Sequence, residues 1–384
     1  VKSFKVLTNA LLCSVLLSGC SLFSSEEDAA LLPAELVKFE QEVAIKRQWS
    51  ANVGSGVKDF WNSLRPTSDG SAIFAADHEG KVTAIDLVNG KKIWAIDLEV
   101  SLSGGVGYGG KMVMVGTIEG GVYALNASDG TIAWIAQVSS EILSSPKSNG
   151  EVVVVQTIDN RLFALDASSG EELWQHEGDA PILTVRGTSE SLVTSNMVLS
   201  AFDTGKLIAF NPDNGSVIWE SRISLPKGRT ELERMVDIDG QPLLVGDVIY
   251  SVSYQGRLGA MSRGTGRSLW FQDSSSHHSP AHGFGQVFVT EAEDSVSAFQ
   301  AGSGAPVWSN DQLFLRRLTG PAKLAGTIAV ADAEGFLHLL DPTDGHFVGR
   351  TKVGGGGISA PLLSLGNSLI VQSNNGTVSA FQIQ

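Results

Sequence analysis

The feature that most constrains this chain is an eleven-residue pattern that returns roughly every forty residues. Aligned on Ala, Gly and Trp, six segments read AIDLVNGKKIW, ALNASDGTIAW, ALDASSGEELW, AFNPDNGSVIW, AMSRGTGRSLW and AFQAGSGAPVW, starting at Ala84, Ala124, Ala164, Ala209, Ala260 and Ala298. A seventh, LLDPTDGHFVG from Leu339, keeps the turn but carries Gly349 where the others carry Trp. An eighth, AFQIQ from Ala380, has only the opening residues, and its missing end stands at the other terminus, where IKRQW supplies Trp49.

Each unit reads as a hairpin. An apolar run rich in Val, Leu, Ile and Phe is a strand, and a second short run ending in Trp is its return. Between them sit Gly90, Gly130, Gly170, Gly215, Gly266, Gly304 and Gly345, each preceded by Asn, Asp, Ser or Thr, as a turn with positive φ requires. Further β-rich runs such as KMVMVGTIEG and EVVVVQTIDN supply two more strands per unit. Seven intervals separate Trp49 from Gly349 over 300 residues, a period of about 43 that suits a four-stranded propeller blade. The spacing predicts an all-β, eight-bladed propeller over residues 43–384, its strands antiparallel within each blade. The strand around Trp49 pairs with the strand around Ala380, which closes the ring and removes free sheet edges.

The repeated residues then have structural work. Trp49, Trp94, Trp134, Trp174, Trp219, Trp270 and Trp308 end returning strands and are placed to lie flat between adjacent blades. Burying ~150–250 Å² at about 25 cal/mol per Å² gives each an upper bound of roughly 4–6 kcal/mol. The small Ala of each unit lets a sheet or an indole approach closely. Asp86, Asp166 and Asp341, with Asn126 and Asn211, precede turns and accept hydrogen bonds from turn amides, a structural rather than catalytic role.

The first nineteen residues stand apart. Lys2 and Lys5 precede ALLCSVLL, an apolar stretch too short to span a bilayer and typical of a secretory signal peptide. It ends in LSGC, where small residues precede Cys20, a pattern similar to a bacterial lipobox that makes Cys20 the lipidated (palmitate-bearing) first residue of the mature protein. Ser21 rather than Asp after that cysteine is the sorting pattern of outer-membrane lipoproteins. Residues 20–42 read as the lipidated Cys and a Ser- and acid-rich tether with a helical turn. With Cys13 removed and Cys20 acylated, the domain keeps no thiol, which excludes disulfides, a Cys nucleophile and zinc held through sulfur. Loss of two lysines leaves 25 basic against 41 acidic residues, a balance that argues against nucleic acid and anionic lipid as partners.

The spacing Ala-x-Asp-x-x-x-Gly-x-x-x-Trp resembles the repeat of pyrroloquinoline-quinone dehydrogenases, which would imply a periplasmic PQQ-dependent dehydrogenase or PQQ-binding protein. Those enzymes use adjacent cysteines, calcium held by carboxylate and amide ligands, and an Asp base, and this chain has no such cysteine pair. A closer resemblance covers the full length: lipobox, short tether, eight quinoprotein-like blades and nothing else. It is similar to the BamB family, the propeller lipoproteins of the outer-membrane β-barrel assembly machinery. That resemblance implies a non-enzymatic scaffold without cofactor or metal, lipid-anchored at the periplasmic face of the outer membrane. It also implies binding to the POTRA domains of BamA and assistance to the folding and insertion of β-barrel proteins. In PILTVRG the family's partner-binding positions fall on Leu183, Val185 and Arg186, with Val185 in place of the usual Leu; in ERMVDIDGQ they fall on Asp237 and Asp239. Read from the residues alone, these stretches are either an exposed apolar-and-Arg patch or a buried connection with Arg186 paired to Asp237 or Asp239. Direct contact with unfolded barrel proteins stays open.

Other signals are set aside. GVGYGG has GxGxxG spacing, but no helix pattern follows it. SHHSPAH places His277, His278 and His282 near Asp273, and a polar blade connection is preferred to a metal site. VDIDG lacks the rest of an EF-hand loop, and GGGG at 354–357 is a connection. There is no Gly-x-Ser-x-Gly elbow and no HExxH.

Overall fold

The computed structural model describes residues 32–57, 63–179, 183, 187–226 and 228–384. The signal-peptide and Cys20 assignments lie outside the described residues, as do Val185 and Arg186. Eight sheets with four antiparallel strands each follow one another around a ring, each running from an inner strand, of two or three residues except at Leu102–Gly109, to an outer strand that carries the Trp position. The blade from Lys147–Ser148 through Val152–Gln156 and Arg161–Asp166 to Glu172–Glu177 shows the plan. The second strands are buried on both faces, as at Ala72–Ala76 and Val152–Gln156, because each lies between two neighbouring blades. They therefore read as unbroken apolar runs, whereas outer strands such as Lys92–Asp97 bury only the Trp side.

The ring closes through its chain ends. Ile45–Asn52 pairs antiparallel with Thr377–Ile383, with Trp49 opposite Ala380, and the sheet continues through Ser368–Gln372 to Leu363–Leu365. The same Ala–Trp pairing holds at Ala84 and Trp94, Ala124 and Trp134, Ala164 and Trp174, Ala209 and Trp219, Ala260 and Trp270, and Ala298 and Trp308. A register shift beside each pair bulges the outer strand at that point.

Seven indoles are fixed from the next blade. Trp49 Nε1 donates to Leu87 O at 2.8 Å, and Trp94, Trp134, Trp174, Trp219, Trp270 and Trp308 donate to Ala127, Ala167, Pro212, Arg263, Ala301 and Pro342 carbonyls. The turn glycine is required twice over. Gly90 has φ +70°, and a Cβ there would stand 2.7 Å from the Trp49 ring; the other six turns repeat the relation with the preceding Trp. Asp86 Oδ1 accepts from Val88 N and Asn89 N, and Asp166 accepts from Ser168 N and Ser169 N, which fixes the turns.

Two features differ from the sequence expectation. One blade has five strands, because Ser63–Leu64 adds in parallel to the inner strand Leu102–Gly109, inside the ring. The segment read as a tether with a helical turn contains no helix over 32–42 and is packed on the ring instead. Its Leu36 and Phe39 find apolar partners on the blade Ala322–Lys352, and the guanidinium groups of Arg316 and Arg350 take the Ala34 and Val37 carbonyls.

Candidate partner-binding site at the cavity end

Strand alternation gives the ring two unlike ends. The Gly turns between third and outer strands lie at one end. At the other the chain passes from each outer strand to the next inner strand, and there a cavity of about 860 Å³ opens. Its lining comes from residues just before inner strands, among them Arg65, Ser144, Glu190, Asp239, His278 and Leu318, so it lies on the ring axis. At its wall the Glu190 carboxylate, almost fully buried, is ion-paired with Arg65 and, at 2.7 Å, with Lys147 Nζ. Burial pushes the Arg65 guanidinium down to about 10, and burial together with the Arg65 charge pushes the Lys147 ammonium down. Three blade entries are thereby tied across the axis by one carboxylate.

The two sequence stretches singled out for partner binding meet at this end. Gly187, next to Arg186 in sequence, packs so closely on Asp239 that a Cβ would stand 2.4 Å from Asp239 Oδ1. Ser189 Oγ donates to Gly240 O at 3.1 Å, a second link between the two connections. Leu183 is 48% exposed, while the Asp237 side chain is fully buried and Asp239 is half-buried on the cavity wall. Of the two readings of this stretch, exposed patch or buried connection, the Asp237 side chain takes the buried one. Burial, reinforced by Asp237 and Asp203, raises the Asp239 carboxyl well above the carboxylate range, and burial with Asp237 raises Asp203 to about 7. Sequence reasoning missed Asp203, Arg65, Lys147 and Glu190; each comes from a different place in the chain, with no shared spacing to announce it.

The other candidate constellations separate. His277 and His278 lie together on the cavity wall, ring centroids 4.0 Å apart, whereas His282 stacks on Tyr250 and Asp273 ends an outer strand. GVGYGG is inner-strand backbone: a Cβ at Gly107 would overlap Pro146 O of the following blade, which explains the glycine. Among the described residues, the one His–carboxylate group with ligand atoms within 4.8 Å of each other is Asp341, Asp344 and His346, on an exposed hairpin. Its carboxylates already accept turn amides, Thr343 N at Asp341 and His346 N at Asp344.

A closed eight-bladed ring of this repeat, with charged connections lining a cavity on its axis, defines a quinoprotein-like propeller. A family model described as outer membrane protein assembly factor BamB matches residues 78–310 and 292–384. The chain is 52% identical over 366 residues to the outer membrane protein assembly factor BamB of Pseudomonas aeruginosa, covering 95% of this chain and 96% of that one. The crystal structure of BamB from Moraxella catarrhalis superposes with a TM-score of 0.81 at 28% identity, over 88% of this chain and all of that one. The quinohemoprotein alcohol dehydrogenase of Comamonas testosteroni, at TM-score 0.63 and 14% identity over 88% of this chain and 76% of its own, shares the fold alone. The chain belongs to the BamB family of outer membrane protein assembly factors.

Proposed function

We propose that this ring is a non-enzymatic scaffold of the outer-membrane protein assembly complex, docking the POTRA domains of BamA at its cavity end. Lipid on Cys20 holds it to the periplasmic face of the outer membrane. The observation that carries the reading is the contact of Gly187 and Ser189 with Asp239 and Gly240, in a blade connection that also carries the exposed Leu183 as an apolar anchor. Leu183 is the contact; Asp237 and Asp239 are positioning groups beneath the loop. A dehydrogenase reading is not favoured, since the chain has no cysteine pair to place over a quinone.

Charge reversal at buried Asp237 would confound docking with folding. Leu183→Glu is the discriminating change: in the full-length protein it is expected to reduce co-purification of BamA at least about tenfold, in line with loss of a buried interface anchor. Its melting temperature stays that of the parent. Undiminished recovery of BamA with Leu183→Glu would overturn the assignment.

A further inference from the structure

Seven seams of the ring share one construction, an indole from one blade lying on the Gly turn of the next. The eighth has neither part. Because the ring closes by joining chain ends, no hairpin connects Thr377–Ile383 to Ile45–Asn52, and Gly349 stands opposite Leu339 where an indole would be. Residues 33–45 fill the place. Val43 and Ile45 cover Gly349, whose Cβ would be 3.0 Å from Val43 Cγ2. Phe39 meets Phe347 at 5.5 Å between centroids, and the Arg350 guanidinium sits 4.9 Å from both rings.

Backbone hydrogen bonds run the length of the segment. Ala34 N donates to Phe314 O, Glu42 N and Val43 N to Val348 O, and Gln384 N to Ala44 O. Two cations reach out of the ring to hold it: Arg316 Nη1 donates to Ala34 O at 2.9 Å and Arg350 Nη1 to Val37 O at 2.8 Å. Arg316 is itself fixed by Asp332 and Glu334, and Arg350 by His338 Nδ1, whose Nε2–H donates to Asp332. Yet Glu35, Val37, Lys38, Glu40 and Gln41 are exposed, so the segment buries one face only. A one-sided terminal segment opens at lower free energy than a strand enclosed between blades.

We propose that residues 33–45 are a detachable eighth wedge: docked, they close the last seam, and released, they open that seam while the seven indole seams stay shut. Pro33 and Arg316 also line the axial cavity, so release alters the cavity wall at the end where the partner-binding connections meet. The leader of the ring and the shape of its cavity are thereby coupled.

Native-state hydrogen exchange on the full-length protein tests this without BamA, so its outcome is separate from that of the docking assignment. The amides of Ala34, Glu42, Val43 and Gln384 are expected to exchange as one group, at least about tenfold faster than those of the indole-bearing outer strands. Exchange of this group at the rate of the whole ring would overturn the proposal even if no variant folds. Phe39→Asp is expected to release the backbone around the already exposed Lys38 for faster tryptic cleavage and to raise exchange across 347–352 about tenfold, leaving the other seams protected; unchanged exchange there contradicts the proposal. Gly349→Trp gives the sharper sign: it is expected to lower the melting temperature of the parent, where the indole competes with Val43 and Ile45, and to raise it in Phe39→Asp, where the seam is vacant. Lowering in both backgrounds overturns the wedge.

Discussion

The two ends of this ring are built by opposite rules. At the hairpin end one solution is repeated: a carboxylate or amide caps a turn, a glycine at φ between +66° and +79° carries it, and an indole from the neighbour rests on that glycine. At the cavity end a proline recurs at the entry to inner strands, at Pro66, Pro146, Pro242, Pro280, Pro321 and Pro361, but the polar side chains that line the cavity change from blade to blade. Arg65, Glu190, Asp239 and His278 occupy comparable places before inner strands, yet they are a guanidinium, two carboxyl groups in different pairings and an imidazole. Repetition carries the architecture, and the departures from it are where a partner can be recognised.

The largest effect separating the ends is expected from Trp134→Ala. It removes an indole that donates to Ala167 O and packs on Gly170, and it should cost about 3–5 kcal/mol in denaturant unfolding. BamA recovery at permissive temperature should not change. A loss of binding without a loss of stability would break the division of labour.

Next comes a pH effect confined to the cavity end. Burial first, then the charge of Asp237, raises the Asp203 carboxyl to about 7, so the folded ring keeps a proton that the unfolded chain releases near its ordinary value. Stability from this group is complete below that unfolded value, declines as pH rises, and is lost once pH passes the folded value. Asp203→Asn keeps the neutral shape and is expected to stabilise the protein by up to about 4 kcal/mol at pH 8, about three pKa units at about 1.4 kcal/mol each, while leaving it nearly unchanged at pH 4. Thermal unfolding at the two pH values checks it.

Smaller again is Phe39→Ala, which truncates a half-buried ring in the 33–45 wedge and should cost about 1.5 kcal/mol, roughly half the penalty of a fully buried Phe. The smallest is His346→Ala. Asp344 and then Glu42 hold the imidazolium charged, which raises its pKa, so their contribution is present at low pH and fades as pH rises through the folded value. The pair is exposed and screened, and its loss should stay within about 0.5 kcal/mol, vanishing at high salt.

How far the sequence was legible follows the same line. The hairpin end could be read from spacing because a positive-φ glycine and an indole are demanded at fixed offsets in every blade, and Trp49 with Ala380 showed where the ring closes. The 33–45 wedge could not be read that way. Leu36 and Phe39 stand at helical spacing among acids, and only the absence of an indole at Gly349 hints that something else must cover it. The cavity end was legible only in part: PILTVRG and VDIDG were recognisable as stretches outside the repeat, but the burial of Asp237 depends on neighbours from other connections. The Arg65–Glu190–Lys147 cluster joins three separate blade entries, a relation that no local pattern records.

The docking assignment comes down to which end of the ring meets the assembly machinery. A photo-cross-linking residue placed in the full-length protein at Leu183, at the cavity end, and separately at Val88, 83% exposed on a Gly turn at the opposite end, tests this directly. The expected result is an adduct with BamA from position 183 and none from position 88; an adduct from 88 with none from 183 would contradict the account.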